Sequence, residues 1–435
     1  MAKHEKFNFR TADELRAKIA ALGCDVELSE NTAILGKPVN IAGKTAPNAM
    51  AVLPMEGCDC LPCGGVSELF ARRYLRFAAG GAGLLWWEAC AVLHEARANP
   101  LQMMLTDSNA SALAKLLEQT NKAAPKQPVN ILQLTHSGRY SRHTGHTFTP
   151  ILAQHDPYLD PRVGASESTE LASDGYLESL PEHYINTAKL AQDCGFDGVD
   201  IKACHRYLLS ELLAAHTRPG KYGGSFANRT RLLREIIAEV RKHTSPDFII
   251  ACRFNATDAH PNGFDEHVEL AELLVQCGVQ LLGVSAGNPY YTNPQVLRPF
   301  DLPGPGVPLP DEHPLENTAQ LFDLTAQVQR AAGEIPVVSA GYSWLRQFAP
   351  QVAAANLVRG QSKFMGLGRQ SFAYPNAPLD ILTGGLEPKQ CCIACSKCTQ
   401  MMRDHTHAGC VMRDSEVYAT IYKQGRAEAC ARQQS

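Results

Sequence analysis

The chain has 435 residues, 45% of them hydrophobic and 20% charged, the make-up of an ordinary globular protein with room for a large buried core. Its formal net charge of -3 and pI near 6.6 give no electrostatic reason to bind nucleic acid or an anionic membrane. No apolar signal region follows Met1 and no run approaches the ~18 apolar residues that span a bilayer, so a cytoplasmic location is expected.

Eight short apolar runs of strand length occur in chain order, at 49–54, 83–87, 129–134, 198–202, 248–254, 281–285, 336–340 and 364–367. They alternate with helix-like stretches, the pattern of a parallel α/β fold, and eight of them point to a closed (β/α)8 TIM barrel. After the fourth run, Leu232, Leu233, Ile236, Ile237 and Val240 recur at the spacing of an amphipathic helix. Cys194-Gly195-Phe196 and Cys277-Gly278-Val279 each end a helical stretch on a glycine suited to a left-handed C-cap and lead into a strand. No GxGxxG follows a strand, which counts against a built-in dinucleotide domain. The Pro- and Gly-rich stretch 301–314 is expected to be a surface loop between the sixth and seventh strands. From Glu387 the composition shifts to Cys, Met, His and charge. Residues 1–386 are therefore expected to form the barrel, and 387–435 a short cysteine-rich C-terminal segment.

Of fifteen cysteines, Cys391, Cys392, Cys395, Cys398 and Cys410 fall within twenty residues, and Cys58, Cys60 and Cys63 within six. In a reducing compartment such clustering indicates metal or redox chemistry. Cys392-Ile-Ala-Cys395-Ser-Lys-Cys398, followed after eleven residues by Cys410, offers three closely spaced thiolates and a distant fourth, a set that can hold a 4Fe-4S cluster. Four thiolates suit zinc as well. Cys391, Cys395 and Cys398 also spell CxxxCxxC, the radical S-adenosylmethionine pattern, but that motif normally follows a first strand; Cys392 is taken as the first ligand. Cys58, Cys60 and Cys63 are read as active-site lining, with a second metal site or a redox thiol as alternatives.

The fourth strand ends near Lys202 and presents Lys202, His205 and Tyr207 where a barrel builds its catalysis. With Tyr222-Gly-Gly-Ser225 and Asn228-Arg229 downstream, this stretch resembles the fourth βα unit of the old yellow enzyme family. Other segments fall in register with that family: Asn48 to Glu56, Gly80 to Ala89, Asn130 to Arg139, Ala251-Cys-Arg253, Val337 to Gly341 and Gly366-Leu-Gly368-Arg369. The resemblance covers most of residues 40–380, and the tail is similar to the cluster motif of the dienoyl-CoA reductase and trimethylamine dehydrogenase branch.

The resemblance implies FMN lined by Pro54, Met55, Glu56 and Ala89, with Gln133 on the flavin pyrimidine and Arg253 beside N1 and O2. There a fixed cation favours the reduced state. Gly341, Gly368 and Arg369 take the place of the phosphate site. The implied reaction sends hydride from flavin N5 to an activated C=C of an α,β-unsaturated carbonyl, carboxylate or acyl thioester. Tyr207 protonates the α-carbon and His205 grips the substrate oxygen. Many members carry His where this chain has Lys202, which either favours a carboxylate or enolate-forming substrate or pairs with Asp200 or Glu211. Relatives continue into dinucleotide-binding domains, whereas about 25 residues follow Cys410 here. Electrons are expected to enter at the cluster from a ferredoxin or partner flavoprotein, or from NAD(P)H acting transiently on FMN. The alternatives are an amine dehydrogenase whose aromatic bowl draws on Trp86, Trp87, Tyr290 and Tyr291, and a non-catalytic electron carrier. The expected partner is a small unsaturated molecule, with no nucleic acid or membrane; homo-oligomer formation stays open.

Overall fold

A computed structural model describes residues 4–258, 263–289, 298–304 and 307–432. A two-residue turn at Ala42 and Gly43, both at positive φ, joins β1 (Val39–Ile41) to β2 (Lys44–Ala46) as a small antiparallel hairpin. The eight apolar runs then become β3 (Met50–Val52), β4 (Leu84–Ala91), β5 (Val129–Thr135), β6 (Gly198–Ile201), β7 (Ile249–Asn255), β8 (Leu281–Ser285), β9 (Val337–Ser339) and β10 (Phe364–Leu367). They close in the order β10-β3-β4-β5-β6-β7-β8-β9, every pair parallel, as the alternation of strand and helix predicts. Parallel strands covered by helices are buried on both faces, and every residue of all eight is buried here.

The expected helix appears as Arg231–His243, its five apolar residues all buried. Gly195 and Gly278 stand at φ 96° and 85°, in the left-handed region that a side chain disfavours, and each turns a helix end into the next strand. The stretch from 301 departs from a plain surface loop at its first residue. Asp301 is buried, accepts hydrogen bonds from Phe7 N (2.9 Å) and Trp344 Nε1 (2.8 Å), and pairs with Arg346 at 2.5 Å. An aspartate in a Pro-Gly loop gives no local sign of that role, because its partners lie far away in the chain.

The tail packs on the loop after β3. Ala408 N donates to Gly57 O (2.6 Å), His407 Nδ1 meets Cys58 O (2.8 Å), and Asp414 pairs with Arg72 (2.8 Å) and Arg76. The cysteine-rich segment is thereby held at the end of the barrel where the β3 loop emerges. No helix among the described residues is long and apolar enough to cross a membrane.

Candidate active site

Polar side chains embedded in these strands mark the site, because burying them costs free energy unless each finds a partner. Asp200 on β6 is fully buried and accepts from Gln133 Nε2 (2.6 Å), Trp86 Nε1 (2.9 Å) and Arg253 N (2.8 Å). Burial nevertheless raises its pKa. One carboxylate thus fixes the rotamer of Gln133 from β5 and ties it to the strand carrying Arg253.

Lys202 follows β6 directly, its N–H on Leu134 O. Its ammonium lies neither on Asp200 nor on Glu211, the two partners considered from sequence. It reaches Glu56 Oε1 at 3.2 Å and sits 3.8 Å from the centre of the Tyr207 ring. Tyr207 donates its hydroxyl hydrogen bond to the same Glu56 oxygen, at 3.3 Å. Glu211 is taken instead by the buried Arg139, which also pairs with Asp160. Lys202, Glu56 and Tyr207 therefore form one contiguous group at the strand ends.

The turn that delivers Tyr207 is bent. His205 and Arg206 stand at φ 66° and 56°, a left-handed geometry that costs a non-glycine residue roughly 1 kcal/mol or more. Three contacts hold it: the Arg206–Asp258 ion pair (2.5 Å), His205 N on Asn255 Oδ1 (3.4 Å) and His205 Nε2 against Ser285 Oγ (2.8 Å). Burial, with Arg253 and Lys202 nearby, keeps the His205 imidazole neutral by pushing its pKa well down. Asn255, Asp258 and Ser285 are supports that local sequence does not reveal, being spread over β7, its following loop and β8.

Beside β5, His136 is buried; its Nδ1 accepts from Gly138 N (3.0 Å), so Nε2 carries the proton toward Tyr176 Oη (2.8 Å). Burial lowers its pKa to about 3 from an ordinary 6.5. Between those values the unfolded chain binds a proton that the folded one does not, so stability is full above pH 6.5 and falls as the pH drops. A His136→Asn variant should lose an acid-side slope that rises from about 0.7 kcal/mol per pH unit at pH 6.5 toward about 1.4 at pH 5 in urea melts. An unchanged slope rejects the assignment.

The residues expected to hold FMN occupy the same barrel end. Pro54 is buried and Met55 and Glu56 half-buried after β3, and Met55 O accepts from Arg73 Nη1 (3.2 Å). A register shift between Trp87 and Ala89 marks β4, and Ala89 O accepts from Gln102 (2.9 Å). Gly341 follows β9 at φ 101°, and Gly368 follows β10 with Met55 Sδ as the nearest atom to its open face. Of the buried cations with an unmatched polar atom, Arg253 (Nε) and Arg369 (Nη1) belong to the residues expected to hold FMN, and neither guanidinium pairs with a carboxylate among the described residues. An anionic flavin and its phosphate suit that donor set.

Arg369 also borders the second candidate centre. It lines a cavity with Phe372, Cys392, Cys395, Cys398 and Cys410. Ala394 and Ser396, at φ 50° and 57°, turn the backbone between the cysteines. Ala394 N donates to Cys392 Sγ (3.4 Å) and Arg413 N to Cys410 Sγ (3.3 Å). Cys391 lies apart, packed with Tyr374, Ala377 and Leu386, its thiol toward Glu387 O at 3.9 Å. Among the described residues no three of these thiols come within 4.8 Å of one another. Thiolates around one zinc stand about 3.8 Å apart, so the set is wide for a single ion.

Cys58, Cys60 and Cys63 do not converge. Cys58 is buried with Asn99 Nδ2 on its sulfur (3.4 Å), and Cys63 is exposed. Cys60 adjoins Asp59 and Glu88, close enough to hold a cation, but Arg73 already bonds both carboxylates, at 2.7 and 2.5 Å. Trp86 and Trp87 are core residues and not a substrate bowl: the first is bound to Asp200, the second stacks on Tyr74 at 3.7 Å. Tyr290 and Tyr291 lie outside the described residues.

Known proteins share parts of this sequence and fold. Residues 35–289 match the NADH:flavin oxidoreductase / NADH oxidase family. An NADPH dehydrogenase of Bacillus subtilis (strain 168) is 30% identical over 261 residues, 58% of this chain and 72% of that protein. An NADH oxidase of Thermoanaerobacter brockii is 26% identical over 339 residues, 77% of this chain and 48% of that protein. The fold is similar to that of a 2-naphthoyl-CoA reductase in complex with 2-naphthoyl-CoA, with a TM-score of 0.74 at 22% identity, over 88% of this chain and 57% of that one. The chain spans about half the length of the last two. With a matched segment that runs from the hairpin through β8 and holds Glu56, Gln133, Lys202, Tyr207 and Arg253, the chain belongs to the NADH:flavin oxidoreductase / NADH oxidase family, that of the old yellow enzymes.

Proposed function

We propose that this flavin-dependent oxidoreductase is an FMN-dependent ene-reductase that saturates an activated C=C of an α,β-unsaturated carbonyl, carboxylate or acyl thioester. Bound FMN supplies the hydride. Gln133, Arg253 and the backbone of Pro54, Met55 and Ala89 would hold its ring; Gly341, Gly368 and Arg369 would hold its phosphate. Tyr207 protonates the α-carbon, and His205, neutral and anchored on Ser285, positions the substrate oxygen. Lys202 contributes less free charge to the substrate than its type suggests, because Glu56 faces it. The observation that carries this reading is a buried phenol delivered by a bent turn to the strand ends, in contact with Glu56 and Lys202, in a barrel whose buried Arg253 pairs with no carboxylate among the described residues. Cys392, Cys395, Cys398 and Cys410, in the segment 387–435, would hold a 4Fe-4S cluster, which would supply one-electron transfer from a ferredoxin or flavoprotein donor, with NAD(P)H as the alternative reductant of FMN. The CxxCxxC spacing with a distant fourth cysteine and the amide hydrogen bonds to Cys392 and Cys410 Sγ support a cluster.

The test is an anaerobic preparation examined by ultraviolet-visible spectrum and by flavin, iron and zinc content, then mixed with NADPH and with 2-cyclohexen-1-one. Flavin and iron together, with reoxidation by the enone, are expected. A colourless zinc protein sinks both cofactor assignments; a flavoprotein reduced by NADPH that no enone, enoate or enoyl thioester reoxidises sinks the ene-reductase reading alone.

A further inference from the structure

Glu56 stands where the family resemblance asks only for a residue lining the flavin, yet its carboxylate does something specific in this chain. One oxygen, Oε1, takes hydrogen bonds from both the Lys202 ammonium (3.2 Å) and the Tyr207 hydroxyl (3.3 Å). The two donors come from the end of β6 and the turn beyond it, the acceptor from the end of β3 across the barrel, so the contact exists only in the closed fold. The Lys202 side chain is 4% exposed and that of Glu56 11%, which leaves little water to carry protons between them. Lys202 also lies over the Tyr207 ring, where its charge favours a phenolate once one forms.

Resting on the ene-reductase reading above, we infer that Lys202, Glu56 and Tyr207 form a proton relay in which Glu56 passes a proton from the Lys202 ammonium to the Tyr207 phenolate after each turnover. The balance is simple. The substrate takes a hydride from reduced flavin and the phenolic proton of Tyr207. The Nζ–H bond of Lys202 then breaks as its proton goes to Glu56 Oε1, that O–H bond breaks in turn as the same proton passes to the Tyr207 oxygen, and the neutral amine recovers its proton from solvent. Lys202 and Tyr207 are about equally buried, so the use of the path is that Lys202 already holds a proton in contact with Glu56 when the phenolate forms, and exchange with solvent can follow later. Among the described residues, the titratable groups on which Glu56 acts besides Lys202 and Tyr207 include the Cys58 and Cys204 thiols, both shifted up by burial, with Arg142, Arg253, Asp59, Glu88 and Asp200 acting on those thiols from the surrounding elements. Glu56 Oε1 accepts from both Lys202 and Tyr207 and so connects them.

Two measurements on the holoenzyme decide the matter. In the first, the protein carries ring-labelled 13C-tyrosine, and Tyr207→Phe identifies the Tyr207 resonance. Glu56→Gln should lower the pH at which that phenol ionises by at least one unit, because it removes an anion and leaves the Lys202 charge unopposed over the ring. In the second, prereduced enzyme is mixed with 2-cyclohexen-1-one alone for a single turnover, and with excess enone and excess NADPH for many. The ratio of later to first turnover rates should fall at least tenfold at pH 9 in Glu56→Gln relative to the unaltered enzyme, and Glu56→Asp should restore part of it. An unmoved phenol titration or an unchanged turnover ratio overturns the relay. An unaltered enzyme that fails to react with the enone overturns the ene-reductase reading itself, an outcome visible before any variant is made.

Discussion

Tyr207→Phe should slow reoxidation of the reduced enzyme by 2-cyclohexen-1-one by about 10²- to 10⁴-fold, the range that a positioned general acid contributes, while flavin content and reduction by NADPH change little. The selectivity follows from what the ring and the hydroxyl do separately. The ring packs among Tyr140, Leu152, Val163 and Ala98, contacts that phenylalanine keeps. The hydroxyl reaches Glu56 and is the proposed proton donor; loss of its bond to Glu56 costs about 1 kcal/mol of stability. The bent turn at His205 and Arg206 is held by Asp258, Asn255 and Ser285 and does not depend on the hydroxyl, so the variant should fold. Stopped-flow traces at 450–470 nm, a window about where oxidised flavin absorbs, separate the two half-reactions. A variant that reoxidises at the unaltered rate would instead favour the electron-carrier alternative, in which Tyr207 carries no proton.

The barrel was legible because its signals are local and periodic. Strands buried on both faces appear as continuous apolar runs such as 281–285, and the helix at Arg231–His243 shows its apolar stripe every three or four residues. Gly195 and Gly278 mark their corners by type alone, since few other residues adopt their φ. What sequence could not supply was pairing across the barrel. Lys202 and Glu56 lie 146 positions apart, and the nearer carboxylates Asp200 and Glu211 were the natural candidates; the one points into the barrel toward Trp86 and Gln133, the other is taken by Arg139. The same limit applies to Trp86 and Trp87. Aromatic residues near a strand end suit a substrate bowl or a core equally well, and only the indole hydrogen bonds to Asp200 and Asn130 place them in the core. Asp301 is the reverse case, a loop residue by composition whose partners Phe7, Trp344 and Arg346 make it an internal anchor.

Adjacent cysteines in the tail separate in the structure, and the corresponding serine variants should separate too. Cys392→Ser should reduce bound iron from about four atoms per chain to below one, with loss of the broad absorbance of the cluster and with flavin retained. Cys391→Ser should leave iron content unchanged. The reason is direction: Cys392 Sγ accepts the Ala394 amide and faces the cavity shared with Cys395, Cys398 and Cys410. Cys391 turns instead toward Glu387 O among Tyr374, Ala377 and Leu386. Three thiolates and one alcohol bind a cube of iron and sulfur far less tightly than four thiolates, because serine is a poorer donor to soft metal. Arg369 gives the experiment a second readout. It lines the cluster cavity and is the proposed phosphate ligand, so losing the cluster should slow electron arrival at FMN from an external donor without releasing the flavin. Iron loss in Cys391→Ser together with retention in Cys392→Ser would reassign the first ligand. Loss in neither, with one zinc per chain in both, would replace the cluster by a structural ion despite the spacing of the thiols.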